Sequence, residues 1–172
     1  MGCREPVADQ DSGTGSESDG GLEGGHGECP PHQHYTCDDA TEPVCAKYEC
    51  ESDIVYGDQL DNIWTPNCVD GCHEPGGQWA DLDLRAPASA GLINQPSAQT
   101  GLMNLVDGVT TLPSQSYLWH KLRGTHTCPD LVGGAGLQMP APEGCQLTDT
   151  LIEAVERWIC CGACPSPEEC QP

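Results

Sequence analysis

Thirteen cysteines in 172 residues constrain this chain more than any other feature. The sequence has no Phe, 21 Gly, 15 Pro and a formal net charge of -21, a poor recipe for a large apolar core. Stability is therefore expected to come in part from cross-links, or from a bound apolar group around which the chain packs. So many cysteines in an acidic chain point to an oxidising compartment, the periplasm or the cell surface and extracellular space, rather than the cytosol. The length allows one domain of ordinary size with tails.

The most specific cluster is Cys68-Val-Asp-Gly-Cys72-His73. Two thiols followed at once by an imidazole are what covalent attachment of a c-type haem requires. Each thiol adds to a vinyl group of the porphyrin, and the adjacent histidine is held under the iron. The usual spacer is two residues and here it is three, so one residue must bulge outward, which Gly71 permits. One haem c per chain is the expected cofactor.

Residues 1–28 are rich in Gly, Ser, Asp and Glu and read as a disordered acidic tether. Cys3 at its head is a candidate for lipid attachment, as in an outer-membrane lipoprotein, and the sequence reads as a mature form with any leader removed. Residues 29–52 form a small cysteine-rich segment, with cysteines at 29, 37, 45 and 50 expected to make two disulfides among themselves in one of three pairings. His26, His32 and His34 fit no standard zinc spacing and read as solvated loop residues. Of the 27 acids, 13 precede residue 54, which makes the front third an acidic spacer. Residues 53–164 carry the helical pattern, and 165–172 form a tail. Ser52 and Asp53 look like a helix cap, and Tyr56, Leu60, Ile63 and Trp64 follow at helical steps, predicting about three turns that end near Pro66. A second helix is expected from about Ser116 to Arg123. A third is capped by Thr148, with Leu151, Ile152, Val155, Trp158 and Ile159 on one face and Gly162 at its end.

These phrases resemble the small c-type cytochrome domains of secreted bacterial proteins. The resemblance covers about residues 53–164 and is carried by the haem motif, Trp79-Ala-Asp-Leu-Asp-Leu84, Ser116-Tyr-Leu-Trp-His-Lys-Leu122, Leu137-Gln-Met139-Pro140 and the closing helix. It implies a mostly α, class I cytochrome c-like domain with long loops. In it His73 is the proximal iron ligand, Met139 the distal one, and the first and last helices cross with Gly57 against Trp158. A thioether opposite imidazole raises the reduction potential, as suits an electron carrier. The Gly-rich run before Met139 and Pro140 after it are consistent with a ligand loop. His120 and His126 are rival sixth ligands, and Met103 is a weaker one because its stretch reads as core.

Setting aside Cys3, Cys68 and Cys72 leaves ten cysteines, an even number. Cys128 with Cys145 would close the Met139 loop, while Cys160, Cys161, Cys164 and Cys170 pair among themselves or with the front segment. Cys161-Gly-Ala-Cys164 has thioredoxin-like spacing but follows a helix rather than a strand, so it reads as structural.

Six Lys and Arg against 27 Asp and Glu exclude a phosphate-binding surface, and with it nucleic acid. No apolar run approaches the ~20 residues that span a bilayer. A redox protein partner is expected to bring a basic docking surface. No catalytic constellation stands out, so the sequence favours a monohaem electron carrier over an enzyme. The alternative is a haem-free, disulfide-stapled surface or binding lipoprotein with Cys68 and Cys72 bridged. The Met139→Ala variant should keep covalent haem, lose the signature of a methionine-ligated iron and fall in potential; an unchanged visible spectrum would transfer the role to His120 or His126.

Overall fold

The helices that position the candidate site are short, because glycines and prolines interrupt every apolar run. In the computed structural model, which describes residues 35–41, 45–51, 55–79, 81–85, 87–129, 131, 134, 136–140 and 146–169, they are α1 (Gly57–Trp64), α2 (Ser89–Leu92), α3 (Tyr117–Arg123) and α4 (Asp149–Cys160). Regular structure among the described residues is helical, with no strand and only isolated bridges such as Ile93 to Val106 and Asn104 to Ser116. The tether, the Ser52–Asp53 cap and Cys3, Cys29, Cys145 and Cys170 lie outside the described residues.

Helix α1 starts later than its periodicity predicts. Tyr56 is extended and its N–H donates to Gln59 Oε1 (2.8 Å). The next two amides, of Gly57 and Asp58, donate to the Cys164 and Pro165 carbonyls at 2.8 and 2.9 Å. Those orphan N–H groups find their acceptors in the far end of the chain, which places the start at Gly57. The α-helix ends at Trp64, just before Pro66 as its sequence predicts, but the chain does not leave the helical path there. The chain widens into a π turn over Thr65–Val69, and Asn67 Nδ2 takes the Ile63 carbonyl (2.8 Å). The first and last helices meet at one acceptor: Trp158 Nε1 (2.9 Å) and the Gly57 N–H (2.8 Å) both donate to the Cys164 carbonyl.

Helix α4 follows its sequence pattern closely. Thr148 is the extended cap, Ile152, Val155, Trp158 and Ile159 are buried, and Gly162 adopts φ +101° just past the end. Helix α3 is capped by Ser116 and buried along its whole length, Lys121 and Arg123 included. Three tryptophans, Trp64, Trp119 and Trp158, are fully buried and fill the space that Phe would occupy in a richer core.

The disulfides correct the pairing expected within residues 29–52 and for Cys128, while Cys160 and Cys161 follow the alternative in which they pair with the front segment. Cys37 bonds Cys128, Cys45 bonds Cys160 and Cys50 bonds Cys161. The front segment is thus stapled to the helical body and not to itself. Cys128 is unavailable to Cys145, and Cys161 and Cys164 do not form a local redox pair.

Beside these staples lies a buried polar junction. Glu156 of α4 accepts from Trp119 Nε1 (2.9 Å) and Tyr48 Oη (3.2 Å), and pairs with Arg123 (3.4 Å) and Lys47 (3.3 Å). The Arg123 guanidinium lies 3.7 Å from the Tyr35 ring centre and 4.1 Å from that of Trp119. Replacing Glu156 with Ala leaves Arg123 and an indole N–H buried without their acceptor. The expected cost is about 3–5 kcal/mol, read as a fall in the denaturation midpoint.

Candidate functional site

The π turn after α1 delivers Cys68 and Val69 into the core, and the chain then doubles back. Cys72 N–H donates to the Val69 carbonyl (3.0 Å) and His73 N–H to that of Cys68 (3.1 Å). Between them Gly71 takes φ +72° with open space around its α-carbon, so the third spacer residue is accommodated by a left-handed turn. Cys68 keeps a free thiol and is buried, which pushes its pKa up to about 12. Cys72 is buried and disulfide-bonded. The bridge between Cys68 and Cys72 expected for a haem-free chain is therefore not the one formed.

His73 is buried, with Nδ1 3.2 Å from the Leu82 carbonyl and its ring stacked on Trp79 at 5.7 Å. A carbonyl only accepts, so the proton sits on Nδ1 and Nε2 keeps its lone pair. Burial lowers the His73 pKa, and the Lys121 charge acts in the same direction against the backbone acceptors of Leu82 and Trp79. A neutral imidazole, oriented through Nδ1 by a carbonyl, is the form a metal-ligating histidine takes.

Met139 is half-buried, packs against the core cluster, and donates its backbone N–H to the Lys121 carbonyl (3.1 Å). The Lys121 ammonium donates to the Leu137 carbonyl (2.6 Å) and is near enough to lower the pKa of both His73 and His126. Lys121 thus bonds the Met139 loop, and its charge acts in the direction that lowers the His73 pKa.

The rival ligands have other duties. His120 is fully buried on α3, not on a surface, with Nδ1 2.9 Å from Thr125 Oγ1 and Nε2 3.0 Å from the Ser114 carbonyl. Both ring nitrogens are spent. His126 Nε2 donates to the Gly136 carbonyl (2.8 Å), while its buried Nδ1 has no partner among the described residues. Among those residues no group of three or more His, Cys, Asp or Glu side chains is placed to hold a metal ion, and no helix is long and apolar enough to cross a membrane. The candidate donor set is instead one imidazole and one thioether.

No family model, curated protein or solved structure matches this chain.

Sequence reasoning missed Lys121, although its signal was there: one of only two lysines stands four residues after Tyr117, on a buried stripe of α3. Burial lowers its pKa to about 8. The Leu82 carbonyl, which orients His73, had no signal at all because any residue supplies one.

Burial lowers the pKa of His120 from 6.5, with the charge of Arg123 and the neighbouring His126 acting in the same direction against the Ser114 carbonyl. The folded chain therefore binds fewer protons here than the unfolded one. The stability this supplies is fully present above the unfolded value of 6.5 and is lost as pH falls below it. Urea titrations should show a midpoint that declines as pH falls through mildly acidic values, with a shallower decline in His120→Gln.

Proposed function

We propose that this chain is a monohaem electron carrier of the c type. The observation that carries the reading is the buried His73, directly after Cys72, with Nδ1 tied to the Leu82 carbonyl. The donor types present are those the group takes. Cys68 and, once released from its disulfide, Cys72 would hold a haem covalently, with His73 Nε2 and Met139 Sδ as the protein donors to its iron. Such a haem supplies an iron that stores and releases one electron.

The chain's own contribution is to hold donors and exclude water. The Leu82 carbonyl fixes the His73 tautomer, and Trp79 covers one face of its ring. Burial of Cys68 keeps that thiol protonated and guarded against oxidation until it is used. Cys72 must first be released from its disulfide, so attachment and that disulfide are alternative states of the same sulfur. With a net charge of -21 the electron partner is expected to present a basic surface, in the periplasm or at the cell surface, where Cys3 would serve as a lipid anchor.

The Cys72 disulfide also favours a second reading, a haem-free surface or binding protein stapled by its cystines. The two separate in one experiment. Chain exported together with a haem-maturation system should show a sharp reduced alpha band and, after denaturation, a mass increase of one haem. His73→Ala should abolish stable incorporation. A mass showing only paired cysteines, with no Soret band, decides for the stapled surface protein.

A further inference from the structure

Residues 136–139 each make a hydrogen bond to the stretch 121–126. His126 Nε2 donates to the Gly136 carbonyl (2.8 Å), Lys121 Nζ to that of Leu137 (2.6 Å), Gln138 Nε2 to that of Leu122 (3.2 Å), and Met139 N–H to that of Lys121 (3.1 Å). Lys121 takes two of the four, one through its ammonium and one through its backbone. The approach is close. Gly136 lies at φ +75°, and a Cβ there would stand 3.2 Å from Lys121 Nζ and 2.9 Å from Gln99 Nε2.

Lys121 is only 5% exposed, and its ammonium lies 5.7 Å from the Tyr117 ring centre, whose hydroxyl is in turn held by Gln99 Oε1 (2.8 Å). A buried ammonium is tolerable only where fixed dipoles replace water. The Leu137 carbonyl and the tyrosine face supply part of that replacement, so the loop solvates the lysine while the lysine holds the loop.

We propose that Lys121 is the positioning residue for Met139: it clamps the loop Gly136–Met139 so that the thioether is presented from a fixed segment, and its buried charge raises the potential of an iron held by His73 and Met139. This rests on the electron-transfer reading. The reduced form carries one positive charge fewer, so a fixed cation nearby favours it, more strongly where water is excluded.

The test uses Lys121→Gln, with Lys121→Met, which keeps the aliphatic stem, as the second variant should the first fail to fold. In the haem-free chain, amide exchange at Met139 should quicken about tenfold or more, the worth of a hydrogen bond to a charged donor, while Leu118 and Val155 are unchanged. In the haem-loaded chain the midpoint potential should fall below that of the parent. Unchanged exchange at Met139 overturns the clamp. Faster exchange with the parent's potential overturns the action on the iron. A parent chain that takes up no haem overturns the electron-transfer reading itself, and the exchange data still decide the clamp.

Discussion

The buried contact between Arg123 and Glu156 fixes the register of α3, and much of the rest follows from that register. Arg123 and Trp119 are four residues apart, so they share the face of α3 that meets α4 and the front segment. Tyr117 and Lys121, also four apart but offset by two, share the opposite face. The seven-residue helix therefore has one side committed to the junction and the other to Gln99 and the Met139 loop. A one-residue slip would turn Lys121 away from that loop.

Covalent links hold the same junction from outside. Three of the disulfides close separations of 91, 115 and 111 residues, each joining the front segment to the body. In the chain-entropy account a single loop of ~100 residues is worth about 4–5 kcal/mol, and these three overlap, so their contributions do not simply add. For a chain without Phe and with so many glycines, this offsets much of what a small apolar core leaves missing. Tyr35, Lys47 and Tyr48 of the stapled segment complete the shell around Arg123 and Glu156, so cross-links and polar contacts act at one place.

The candidate site is built differently, from backbone groups. The Leu82 carbonyl orients His73, the carbonyls of Gly136 and Leu137 receive His126 and Lys121, and the Lys121 carbonyl receives Met139. Backbone acceptors hold position without adding a side chain that competes for a ligand. His120, with one ring nitrogen at the Thr125 hydroxyl and the other at the Ser114 carbonyl, serves the fold.

Local physics was legible in the residues. The Thr148 cap, the apolar stripe of α4, the Ser116 boundary of α3 and the turn at Gly71 each depend on a few neighbouring side chains and one backbone conformation. What was not legible depends on partners far along the chain. The start of α1 is set by the Cys164 and Pro165 carbonyls, so its own periodicity placed it too early. The cysteines paired across the chain because the front segment packs on α4 and the turn at Cys128, whereas arithmetic on their spacing favoured neighbours. Sequence by itself nominated the residues proposed to carry the chemistry, through the adjacency of Cys72 and His73 and the Met139-Pro140 phrase, since thiol, imidazole and thioether are properties of single side chains. Only the tertiary structure decided their surroundings, because burial, the tautomer of His73 and the hold of Lys121 on the Met139 loop are made by groups that sequence separation keeps apart.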